Sequence, residues 1–163
     1  MTTIAYKDGV IAYDSRVTRG SLIDHDDYEK LIHRQGHRFL ITGSGCDFSI
    51  LIDEFFGAKS GRKPLDAVAL VVTNGGLCQI GHDAESGFWM DDVWMDRPFA
   101  IGSGRNFALA AMDMGASAKE AVEAAAKRDI YTGGTIRTLV IDEVRANATT
   151  APAAVTDRAV RSL

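Results

Sequence analysis

The chain has 163 residues, the size of one domain, with 46% apolar and 25% charged residues, which excludes wholesale disorder. A net charge of −4 argues against nucleic acid as the main partner, since phosphate binding needs a basic face. Two cysteines, Cys46 and Cys78, are too few for a disulfide scaffold, and neither a basic-then-apolar leader nor a long uncharged span is present, so a cytoplasmic protein with no membrane partner is expected.

In chain order, Thr3 to Tyr6 and Gly9 to Tyr13 predict a hairpin turned at Lys7-Asp8-Gly9, since Asp-Gly is a strong turn signal. A second hairpin is expected from Tyr28 to Ile32 and His37 to Thr42, with the turn at His33-Arg34-Gln35-Gly36. The acidic residues Asp24, Asp26 and Asp27 read as a solvated loop, because the run lacks the glycine and distal glutamate of a calcium loop. Asp47 to Phe56 reads as a helix that is apolar on nearly every face, as expected of a helix sandwiched between layers. A third hairpin comprises Val68 to Val72 and Leu77 to Ile80 around Asn74-Gly75-Gly76, and a fourth strand pair is expected between Phe88 and Ala100. The stretch from Phe88 to Met95 is expected in core or subunit packing. An Ala- and Met-rich helix follows at Asn106 to Met114, then a third helix introduced by the capping box Ser117-Ala118-Lys119-Glu120 and ending near Asp129. A strand at Thr135 to Ile141 closes a domain of residues 1–145, leaving 146–163 as a tail. Grouped antiparallel strands with buried helices predict an α+β layered fold.

Gly43-Ser44-Gly45 and Gly102-Ser103-Gly104 each precede a helix and read as tight turns, since neither carries a dinucleotide or P-loop pattern. The pairs His33/His37 and Cys78/His82 fall in predicted hairpins, where residues four apart lie too far from each other to share a metal ion. No metal and no cofactor is expected. The N-terminus carries more information. Met1 precedes the small residue Thr2, a context in which an initiator methionine is normally removed. Removal leaves Thr2 with an α-amine beside its own hydroxyl, and an amine with a pKa near 8 can act as the base that makes a hydroxyl nucleophilic.

Thr2-Thr3-Ile4 and the run from Gly9 to Thr18 resemble the start of a mature proteasome β subunit or of the peptidase HslV. Thr42-Gly43-Ser44-Gly45-Cys46-Asp47, Ile101-Gly102-Ser103-Gly104 with Ala108 to Asp113, and Asp129 to Gly134 resemble three further motifs of that family. All occur in the family's order and together span residues 2–142. The resemblance implies a four-layer αββα sandwich of the N-terminal-nucleophile hydrolases and a threonine endopeptidase. It implies Thr2 as nucleophile, Asp14 and Lys30 as the buried acid and the lysine it keeps charged beside Thr2, and Gly43 as oxyanion donor. It further implies Ser103, Asp129 and Thr132 as the group that orients the terminal amine, and Val17, Tyr28, Ile41 and Gly45 near the substrate pocket. Partners implied are a homo-oligomeric ring of six or seven subunits, an ATP-dependent unfoldase, and peptide or unfolded-protein substrates. Two other readings stay open: a ring-forming scaffold with a retired site, and an amidase acting on a small molecule.

Overall fold

The computed structural model describes residues 1–61 and 64–141, so the expected tail 146–163 lies outside them. Its elements are β1 (Thr3–Lys7), β2 (Val10–Tyr13), β3 (Val17–Arg19), β4 (Leu22–His25), β5 (Leu31–Arg34), β6 (His37–Gly43), a 3-10 turn (Gly45–Asp47), α1 (Phe48–Phe55), β7 (Ala67–Thr73), β8 (Gly76–Asp83), β9 (Gly87–Val93), β10 (Phe99–Gly102), α2 (Arg105–Asp113), α3 (Ala118–Ala126) and β11 (Arg137–Val140). Among the described residues these strands form a four-stranded sheet ordered β10-β1-β2-β11, a five-stranded sheet ordered β5-β6-β7-β8-β9, and the separate hairpin β3-β4. Every strand pairing among the described residues is antiparallel.

Side-chain alternation along each strand builds the layers. Ile4, Tyr6, Ile11 and Tyr13 turn one way and meet Leu40, Leu70 and Val72 of the second sheet, which makes the central core. Their neighbours Ala5 and Ala12 turn the other way, and with Ala100 they receive Ala108, Met112, Ala121 and Ala125 of α2 and α3. On the far face of the five-stranded sheet, Phe39, Ile41, Ala69, Val71 and Ile80 pack under Leu51 and Ile52 of α1. The stack is therefore helix, sheet, sheet, helix pair: the αββα sandwich that the resemblance implies.

Turn chemistry sets the register. Asp8 and Gly9 have φ of 50° and 79°, and Gln35 and Gly36 have 49° and 78°, the two left-handed positions of a type I′ hairpin turn. The second turn is thus two residues long, and β5 continues through Arg34 instead of ending at Ile32. Capping of α3 by Ser117 and Glu120 is reciprocal, as the sequence motif predicts.

Three expectations need correction. Asp24 lies in β4 of an additional hairpin, not in a loop. β9 and β10 do not pair with each other: β9 extends the five-stranded sheet from β8, while β10 crosses to β1. The stretch from Phe88 to Met95 is accordingly only partly core, with Val93 buried and Met90 and Trp94 exposed. Finally, α1 is an outer layer, not a sandwiched helix, and buries only Leu51 and Ile52. Its remaining aromatics cover one another: Phe55 and Phe56 pack edge-to-face at 5.1 Å, each also against Phe39 and His37, with the Arg34 guanidinium 5.6 Å from the Phe56 ring.

Candidate active site

β1 leaves Thr2 at the open end of the sandwich, between the ends of the two sheets. Its backbone is fixed from both sides, since the Ser103 N–H donates to the Thr2 carbonyl at 3.0 Å and the Thr42 hydroxyl does so at 3.4 Å. The Thr2 side chain is buried, and the Lys30 ammonium donates a hydrogen bond to its Oγ1. Lys30 also donates to Asp14 Oδ1 at 2.9 Å, and both members of that pair are buried. Burial pulls the Lys30 pKa below its ordinary value, while the Asp14 charge and hydrogen bond pull it back up.

Asp14 is satisfied well beyond its lysine. Oδ1 accepts from the Thr3 N–H at 3.0 Å, and Oδ2 accepts from the N–H groups of Gly133 at 2.9 Å and Arg16 at 3.1 Å. These three backbone donors satisfy the buried carboxylate, which would be costly to leave without partners. A Cβ on Gly133 would displace the Arg16 guanidinium, which packs directly against this glycine. Arg16 in turn is held by Asp26 at 2.7 Å and by the Ile130 carbonyl at 3.2 Å.

Glu29, next to Lys30, is clamped independently. Its Oε1 accepts from the Tyr13 hydroxyl at 3.0 Å and from the Leu31 N–H at 2.8 Å. Burial first, and then Glu29, push the Tyr13 phenol up to about 12. A phenol whose folded pKa exceeds its unfolded value near ~10 stabilises the fold fully below pH ~10 and loses that contribution as pH rises through about 12. Ultraviolet titration of the four tyrosines is therefore expected to show one late phenolate, absent in Tyr13→Phe. Persistence of the late step in that variant would contradict the assignment.

A second polar cluster sits on the helix side of β1. The hydroxyls of Ser103 and Thr132 both donate to Asp129 Oδ2 at 2.6 Å, and Oδ1 accepts from the Tyr131 N–H at 3.1 Å. Because the Thr132 proton goes to Asp129, the 2.6 Å contact between Thr3 and Thr132 has Thr3 as donor, and Thr3 Oγ1 accepts from the Gly104 N–H at 3.0 Å. Thr3 is thereby locked away from the Thr2 face. Gly43 completes the surroundings of Thr2 with φ of 121°, and a Cβ there would collide with the Asp66 carbonyl. Only glycine fits that left-handed, crowded position.

A cavity of about 620 Å³ opens beside Thr2, lined among others by Val17, Tyr28, Lys30, Ile41, Gly43 and Gly45. The structure thus brings Thr2, Asp14, Lys30 and Gly43 together, gathers Ser103, Asp129 and Thr132 in the neighbouring cluster, and puts Val17, Tyr28, Ile41 and Gly45 in one cavity wall. Sequence reasoning missed Thr3, Arg16, Glu29 and Gly133. Gly133 had a signal in the paired glycines at 133 and 134, and Arg16 lies in the run from Gly9 to Thr18 that carries the resemblance; Glu29 had none beyond its charge. Among the described residues no three ligating side chains converge on a possible metal position, and no described helix is long and apolar enough to cross a membrane.

No protein-family model matches the chain, and no curated protein is significantly similar to it. Solved structures do match. BPH of Thiobacillus denitrificans, alone and in complex with epoxomicin, superimposes with a TM-score of 0.59 at 21% identity, over 85% of this chain and 96% of that one. HslV from Trypanosoma brucei superimposes with a TM-score of 0.63 at 19% identity, over 85% of this chain and 97% of the other. The chain has the αββα fold of the N-terminal-nucleophile hydrolases, in the form taken by HslV and BPH.

Proposed function

We propose that the protein is a threonine peptidase whose nucleophile is Thr2, exposed by removal of the residue before it. The observation that carries this reading is the buried Lys30 ammonium held between Thr2 Oγ1 and Asp14. A cation at that point stabilises negative charge as it develops on Oγ and disfavours protonation of an amine close by. The same effect is visible one residue upstream, where burial and then Lys30 hold the Met1 α-amine below its ordinary pKa. An amine at Thr2 would take the hydroxyl proton, Oγ would attack the peptide carbonyl, and Gly43 N–H would bind the resulting oxyanion, a donor worth ~3 kcal/mol in the transition state. The Ser103–Asp129–Thr132 cluster would orient that amine. Because the base must be neutral, hydrolysis is expected to rise with pH through the pKa of the Thr2 amine in the processed chain.

Assembly into a ring of six or seven subunits, fed by an ATP-dependent unfoldase with unfolded protein in the cytoplasm, belongs to the same reading. The β3-β4 hairpin supports a subunit contact, since a two-stranded hairpin with Leu22 72% and Ile23 55% exposed is marginal on its own. The decisive experiment is intact-mass analysis after treatment with a peptide epoxyketone. Thr2 as first residue offers both Oγ and the α-amine, so a morpholine adduct on Thr2 of the processed chain is expected. An adduct on Thr3, Ser44 or Cys46 would refute the assignment, and a processed chain with no adduct would favour a scaffold.

A further inference from the structure

A second cavity, of about 470 Å³, adjoins the one beside Thr2. The two cavities meet at Met1 and Gly43, which line both. Where the first is walled by the β3-β4 hairpin, the second runs between the ends of the two sheets, with Val68 and Gln79 of one sheet and Phe99 and Ile101 of the other in its lining. Ser103, Asp66 and Arg105 supply further polar groups. Arg105 opens α2, and among the described residues no hydrogen bond or ion pair engages its guanidinium.

Acyl-transfer chemistry distinguishes the two cavities. Acylation forms the bond between Thr2 Oγ and the carbonyl carbon and breaks the carbon–nitrogen bond, and the proton lost by Oγ must travel through the amine to the leaving nitrogen. Ser103 holds the Thr2 carbonyl through its N–H, bonds Asp129 through its hydroxyl and lines the second cavity, so a leaving nitrogen on that side would meet this polar pair. We propose that the second cavity binds the substrate segment C-terminal to the cleaved bond, and that Arg105 selects an acidic side chain on it. The proposal rests on the peptidase reading above. Asp66 lines the same cavity with its carbonyl against Gly43, accepting from the Ser44 N–H at 2.6 Å. The Arg105 cation in this lining, with no partner among the described residues, matches a leaving segment that carries a carboxylate side chain.

The test uses the processed full chain and two kinds of substrate. Peptidyl-aminomethylcoumarins, which have no peptide on the leaving side, test the peptidase reading alone. Internally quenched peptides share one acyl side and carry Glu or Lys at the second or third leaving-side position, with the C-terminus amidated. The Glu peptides are expected to exceed their Lys counterparts in kcat/KM by about fivefold, the scale of one partly exposed ion pair. Arg105→Glu should bring that ratio to one or below. The ratio is taken within a single preparation, so it is independent of the active fraction of the variant. Coumarin turnover with a ratio of one in the wild type, or an unaltered ratio in Arg105→Glu, overturns the second-cavity assignment and leaves the peptidase reading standing. A preference that appears only when the C-terminus is a free carboxylate overturns the side-chain assignment in favour of the terminal group. Turnover of neither substrate class overturns both readings.

Discussion

Thr2→Ala is expected to lose peptide hydrolysis by at least about 10⁴-fold and to lose all epoxyketone labelling, because alanine keeps the amine but has no oxygen to attack with. The fold should survive, since the bonds that anchor residue 2 run from Ser103 and Thr42 to its backbone carbonyl and not to its side chain. Thr2→Ser keeps the hydroxyl and loses only the methyl that restrains its rotamer. It is expected to retain measurable turnover at reduced kcat. Peptide kinetics with circular dichroism as the folding control checks both variants, and near-normal turnover of Thr2→Ala would end the assignment. Thr3 cannot substitute, because its hydroxyl is spent on Thr132 and lies on the other face of β1.

Lys30→Ala is expected to lower kcat by about 10³-fold while leaving the protein folded. The usual cost of breaking a buried ion pair, ~3–5 kcal/mol, comes from the charge left behind without partners. Here the charge left behind is Asp14, and three N–H groups still donate to it. Asp14→Ala reverses the balance. It strands those three donors and a buried ammonium together, and should destabilise the fold by ~3–5 kcal/mol. Urea unfolding beside peptide kinetics separates the two outcomes. A Lys30→Ala protein with ordinary turnover would remove the lysine from the chemistry.

Much of the layer order can be read from local signals. Turns at Asp8-Gly9 and Asn74-Gly75 announce themselves through glycine, and alternation along β1, β2, β6 and β7 marks which side chains face which layer. β3 and β4 were hidden because neither strand buries a face, so no apolar alternation is written into Val17–Arg19 or Leu22–His25. The partner of β10 was hidden for another reason: pairing with β1 is a contact between distant parts of the chain, and strand neighbours in sequence suggested β9 instead. At the candidate site, Thr2, Asp14, Lys30 and the glycine turns stand out by residue type and motif order. The donors that satisfy Asp14 do not, because every residue except proline has an N–H and only folding decides whose N–H arrives.

The buried polar contacts around Thr2 join positions far apart in the chain: Thr3 with Thr132 across 129 residues, and Asp14 with Gly133 across 119. A nascent chain growing at ~5–20 residues per second reaches residue 132 roughly 6–26 s after Thr2 is made. Throughout that interval Thr2 has neither the carboxylate Asp129 nor the Gly133 donor that steadies Asp14. Distant closures of this kind also form late in refolding, after local hairpins such as β1-β2. On the proposed reading, a partly synthesised or partly folded chain therefore carries its threonine without the surrounding groups, and long sequence separation delays any cutting until the rest of the domain exists.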